Sequence, residues 1–147
     1  LDLSSESHPE ESRRATVEQC IRVTASLCDS LHRQHCRVEL LTKHELFVIE
    51  SNMAGLQRAM DALAAIDVAS ERPSSHESRR QAVNGRGDFA ITVTTESGFR
   101  PGRPHQIVVT LNSGNIGVDK LIPGAWIGID GGVPISHLTT EWRKQVS

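Results

Sequence analysis

The chain has 147 residues, a length that suits one domain with a continuous core and excludes two domains of ordinary size. Apolar residues make up 37% and charged residues 23%, as in soluble globular proteins, but aromatic residues reach only 3%, so the core must be aliphatic. The net charge of −2 and the shortage of stacking aromatics argue against nucleic acid as a partner.

Leu1 to Leu3 read as the end of a strand, followed by a polar loop. A helix is predicted from Arg13 to about Gln34, because apolar and small residues recur there every three or four positions. This face comprises Val17, Cys20, Ile21, Thr24, Leu27, Cys28 and Leu31.

Two short apolar segments follow, 36–41 and 46–49, and the polar residues between them predict a hairpin. Ser51 or Asn52 can cap a second helix that ends near Asp67. Its buried face is predicted to comprise Leu56, Met60, Leu63 and Ile66.

Between 68 and 87 the composition changes to Ser, Arg, Glu, Pro, Asn and Gly, which predicts a surface connection. Three strands of the buried type follow at 89–94, 105–111 and 125–129. The alternation of helices and strands predicts an α/β fold, a three-layer, doubly wound, mostly parallel sheet with helices on both faces and one antiparallel strand.

The three cysteines, Cys20, Cys28 and Cys36, are odd in number and show no CxxC pairing, which favours reduced thiols in a reducing compartment. No stretch approaches the roughly 20 apolar residues that a membrane span requires, so we expect no membrane contact by this domain itself. The chain starts inside a strand and without Met, so we expect a domain excised from a longer protein.

Three segments carry a resemblance to a known family: Leu1-Asp2-Leu3-Ser4, the Glu18–Leu31 helix with Thr-Ala-Ser-Leu at 24–27, and Arg-Val-Glu-Leu-Leu-Thr at 37–42. They resemble the C-terminal half of the domain-of-unknown-function-58 family, and the order of elements is similar to a von Willebrand factor A domain. The resemblance covers residue 1 to about residue 66. It implies that 1–147 form a single von Willebrand factor A-like domain.

Domains of that class often bind a divalent cation through an Asp-x-Ser-x-Ser loop and a later Asp. The resemblance assigns Asp2 and Ser4 to this loop, with Glu6 at the third position, and Glu96 in place of the later Asp. Oxygen ligands of this kind suit Mg²⁺. The alternative is that Asp2 and Ser4 cap the loop and the helix, while Glu6 and Glu96 are solvated.

Enzyme motifs are missing from the sequence: there is no Gly-x-Ser-x-Gly elbow and no glycine-rich phosphate loop. The resemblance, together with the absence of these motifs, implies a non-enzymatic protein-interaction module with a degenerate metal-ion-dependent adhesion site. Two arginines in the stiff segment 99–104 could engage an acidic partner or form a solvated turn. The candidate partner-binding residues are Ser7, Thr95, Arg100 and Arg103.

The resemblance also implies a partner and a location. Members of the family are associated with MoxR-type AAA ATPases, so we expect a role in complex assembly or maturation at the cytoplasmic face, with the full-length protein membrane-anchored through upstream segments. The alternatives are a divalent-metal-dependent hydrolase that uses Asp2, Glu6 and Glu96, or a metal-dependent adhesion-type ligand binder.

Overall fold

The computed structural model describes residues 1–4, 7–8, 10–42, 45–67, 90–110 and 123–130. The predicted connection over 68–87 and residue Glu6 lie outside this part of the chain. The elements follow in the order of a 3₁₀ turn (Glu10–Ser12), α1 (Arg13–Arg33), β1 (Val38–Leu41), β2 (Leu46–Ile49), α2 (Met53–Ala64), β3 (Thr92–Thr95), β4 (Gln106–Thr110) and β5 (Ile127–Asp130).

Both predicted helices are confirmed, and their ends have clear physical causes. His35 takes a positive φ of 58° after α1, and Cys36 N donates to Leu31 O at 3.0 Å, which together close a Schellman motif. Asn52 caps α2 through a 3.0 Å hydrogen bond from Gly55 N. Of the helices in the described ranges, none is both long and apolar enough to cross a membrane.

The strands form two groups that the first residues of the chain connect. β1 and β2 form the predicted antiparallel hairpin, and β3, β4 and β5 are parallel in that order, so the α/β class and the parallel strands are confirmed. Asp2 N donates to Val93 O at 3.0 Å, and Leu1 N donates to Leu41 O at 3.2 Å. The segment Leu1–Leu3 therefore lies between β1 and β3.

Helix α1 contributes to both hydrophobic clusters of the core. Its side chains at Cys20, Val23 and Leu27 pack against β3, β4 and β5, while Cys28 joins β1, β2 and α2. The core is aliphatic, as the composition predicts. Its buried strand and α2 residues are Val93, Ile107, Val109, Ile127 and Ile129 in the first cluster and Leu40, Ile49, Leu56, Ala59 and Leu63 in the second.

The opposite face of the parallel strands is also buried. Side chains alternate along a strand, so Gln106 and Val108 point away from the face that carries Ile107 and Val109, yet all four are buried. The connection from β3 to β4, residues 96–105, contains no helix and consists of turns. Helices on both faces of the sheet therefore stay a prediction.

Burial of two cysteines predicts selective thiol chemistry. Burial raises the pKa of Cys20 to about 12 and that of Cys28 to about 11, whereas Cys36 is exposed. Because the thiolate is the reactive form, we expect iodoacetamide to label Cys36 alone in the native protein and all three cysteines in denaturant. Peptide mass spectrometry checks this, and native labelling of Cys20 as fast as Cys36 would contradict the packing of α1.

Candidate functional site at the Asp2 carboxylate

The Asp2 carboxylate is the centre of a polar cluster. Its Oδ1 accepts hydrogen bonds from Ser4 N at 3.1 Å and Ser4 Oγ at 2.8 Å. Its Oδ2 accepts from Ser7 Oγ at 2.6 Å and from Thr94 Oγ1 at 3.1 Å. Ser4 Oγ and Ser7 Oγ are 2.7 Å apart. These four residues, which we call the Asp2 cluster, join the loop after Leu3 to β3.

Two opposing effects act on the ionisation of Asp2. Burial alone raises the pKa of the carboxyl, but hydrogen bonds from Ser7 Oγ, from the backbone and hydroxyl of Ser4 and from Thr94 Oγ1 outweigh it. The pKa of Asp2 is therefore held below its ordinary value. The cluster has an ionised carboxylate at neutral pH.

A buried histidine connects the loop that contains Asp2 to helix α1. His8 is 1% exposed, and its Nε2 lies 3.0 Å from Asp2 O while its Nδ1 lies 2.8 Å from Thr16 Oγ1 on α1. Because a carbonyl oxygen only accepts, Nε2 carries a proton and donates to Asp2 O. His8 thus fixes the backbone of Asp2 relative to the first turn of α1.

The turn after β3 packs directly on the Asp2 cluster. Thr95 Oγ1 donates to Ser7 O, and Gly98 N donates to Thr95 O at 3.1 Å. A Cβ at position 98 would overlap Thr94 Oγ1 and lie 2.5 Å from Ser7 Oγ. Only glycine allows this close approach of the turn to the hydroxyls.

The structure brings together some of the predicted metal residues. Asp2 and Ser4 lie in the cluster, whereas Glu6 lies outside the described residues. Glu96 follows β3 at the same edge of the sheet, but its side chain is exposed and makes no hydrogen bond with the cluster. Within the described ranges, no three His, Cys, Asp or Glu side chains are grouped so that they could hold a metal ion.

Two of the predicted partner-binding residues, Ser7 and Thr95, form part of the buried support of the loop. Thr94 was missed by sequence reasoning, although a hydroxyl residue at the end of a buried strand was a usable signal. The other two, Arg100 and Arg103, are exposed on the connection between β3 and β4.

Comparisons with known proteins add no identification. No family model matches the chain, and neither the search of curated proteins nor the search of solved structures found a match.

Proposed function

We propose that this chain is a non-enzymatic protein-interaction module with a von Willebrand factor A-like fold. The observation that carries the proposal is the convergence of Asp2, Ser4, Ser7 and Thr94 at the carboxyl end of β3. Open α/β sheets bind their ligands at this edge. The position of Leu1–Leu3 between the hairpin and β3 supports the fold, since it yields the order β2, β1, 1–3, β3, β4, β5.

The proposed partner is a MoxR-type AAA ATPase, and the proposed setting is complex assembly or maturation at the cytoplasmic face of a membrane. Both rest on the resemblance of residues 1–66 to the domain-of-unknown-function-58 family. An exposed carboxylate at the edge, that of Glu96, is available for contact with the partner.

We expect the chain to bind the MoxR-type ATPase of its own organism in the presence of ATP, with Glu96→Arg weakening the affinity at least about tenfold, as for the loss of one well-placed charge pair. Biolayer interferometry measures it. The control is Glu18→Arg, which reverses an exposed charge on α1. No binding by the parent chain would contradict the proposed partner, and equal loss in both variants would contradict Glu96 as the contact.

A divalent cation bound at the Asp2 cluster is a second component of the proposal. The small number of hydroxyl protons in the cluster supports it. Ser4, Ser7 and the ionised Asp2 make three mutual side-chain contacts but hold only two hydroxyl protons. When both serines donate to Asp2, their lone pairs face each other across 2.7 Å. Mg²⁺ would relieve this crowding, with Asp2, Ser4, Ser7 and Thr94 as the residues that hold it.

We therefore expect Mg²⁺ or Mn²⁺ to raise the unfolding midpoint by about 3–6 °C at ten times the dissociation constant. Differential scanning fluorimetry in EDTA and in added metal measures the shift. Ser7→Ala should abolish it, whereas Asp61→Ala, at an exposed site on α2, should keep it. An unfolding midpoint that is the same in EDTA, in Mg²⁺ and in Mn²⁺ would contradict the cation site and would leave only the metal-free interaction module.

A further inference from the structure

Residues 100–103 form a tight turn with an arginine at each end. Arg103 N donates to Arg100 O at 3.2 Å, and Gly102 has a φ of 86° after Pro101. Proline at the second position and glycine with positive φ at the third define a type II turn. The Cα atoms of its two ends lie within about 7 Å of each other, so the two arginines start from neighbouring points.

A buried side chain fixes this turn to the sheet. Gln106, the first residue of β4, is 2% exposed. Its Nε2 donates to Arg100 O at 2.7 Å and to Arg103 O at 3.1 Å, and its Oε1 accepts from Arg100 N at 3.0 Å. The amide group of Gln106 thus holds the backbone of both arginines, and a turn held in this way loses little entropy when it binds a ligand.

The turn carries two exposed arginines whose backbones are neighbours. Arg100 and Arg103 are both exposed, and the Arg103 guanidinium has no acidic partner among the described residues. The Nη1 atom of Arg100 donates to Ser97 O at 3.0 Å and to Phe99 O at 3.2 Å, so its guanidinium is held against the residues that precede the turn.

We propose that this arginine turn, residues 100–103, binds carboxylate side chains in an acidic segment of the partner protein, without a metal ion. The inference rests on the proposed protein-interaction function and names the chemistry of the partner. Guanidinium groups match carboxylates in a planar, two-bond geometry, so two adjacent arginines suit closely spaced Asp or Glu residues. The chain as a whole has a net charge of −2, so overall charge would not attract such a segment.

Fluorescence anisotropy with a fluorescein-labelled hexaglutamate peptide tests the proposal, in EDTA and in Mg²⁺. We expect saturable binding that is the same in both buffers and weakens as salt rises. Arg100→Ser with Arg103→Ser should weaken it at least about tenfold, and replacement of both by Lys should weaken it less. The control, Arg33→Ser with Arg37→Ser, removes the same charge from two arginines in surface ion pairs and should bind like the parent chain.

Equal affinity of the two serine double variants, or no saturable binding by the parent chain, would overturn the arginine turn as the binding surface. Binding that needs Mg²⁺ and disappears in Ser7→Ala would also overturn it, and would assign the carboxylate to the Asp2 cluster instead. Neither result depends on the MoxR-type ATPase, so failure of the arginine turn and failure of that partner are distinguishable.

Discussion

Gly98→Ala is expected to destabilise the protein by about 2–3 kcal/mol, the cost of forcing an extra methyl group into a packed site. The new Cβ would overlap Thr94 Oγ1 and lie 2.5 Å from Ser7 Oγ and 2.7 Å from Ser7 Cβ. Thr94 belongs to β3 and Ser7 donates to Asp2, so neither side chain can move without breaking a hydrogen bond of the cluster. Urea unfolding followed by circular dichroism measures the loss.

Two further variants separate this steric effect from a general sensitivity of the turn. Ser97→Ala changes the exposed neighbour and should alter the free energy of unfolding by less than about 0.5 kcal/mol. Thr94→Ala removes the hydroxyl that position 98 would overlap, so the double variant should be more stable than the sum of the two single losses predicts. Strict additivity, or a Gly98→Ala protein as stable as the parent, would show that the turn does not pack on the hydroxyls.

Local patterns in the sequence account for most of the described fold. The spacing of Val17, Cys20, Leu27 and Cys28 predicts α1 because one stripe of a helix must be buried, and those residues are buried. The hairpin and the three parallel strands follow in the same way from short apolar runs and the polar segments between them. These features depend on neighbours in the chain, which a sequence displays directly.

The Asp2 cluster depends on contacts that no local pattern contains. Thr94 reaches Asp2 across 92 positions of the chain, because the segment Leu1–Leu3 lies beside β3. Ser7 is one place late for the Asp-x-Ser-x-Ser pattern, and the Ser7 N to Ser4 O hydrogen bond folds the loop so that its hydroxyl still reaches the carboxylate. The spacing of residues in the sequence does not reveal this contact, because it depends on the backbone turn between Ser4 and Ser7.

His8 and Gln106 illustrate a second limit. Both are polar residues in or next to polar segments, yet both are buried and hold backbone carbonyls in place. A polar residue is buried where its hydrogen bonds are satisfied, and those partners, Asp2 O for His8 and the carbonyls of the arginine turn for Gln106, become known only from the fold.

Asp2→Asn is expected to lower the free energy of unfolding by about 3 kcal/mol at pH 7 in EDTA, because hydrogen bonds to a charged acceptor contribute about 1.5–3 kcal/mol each. The amide would also turn an NH₂ group toward hydroxyls that now donate to the carboxylate. Asp61→Asn, at an exposed site on α2, is the matched control and should stay within about 0.5 kcal/mol of the parent.

The same variant should change how stability depends on pH. The pKa of Asp2 is lower in the folded chain than in the unfolded chain, so its contribution is present above the unfolded value of about 3.9 and is lost as the pH falls through the folded value. The difference in urea midpoint between the parent and Asp2→Asn should therefore begin to shrink below about pH 4 and should decrease further down to pH 2.5. A constant difference between them at every pH would mean that the Asp2 charge does not stabilise the cluster.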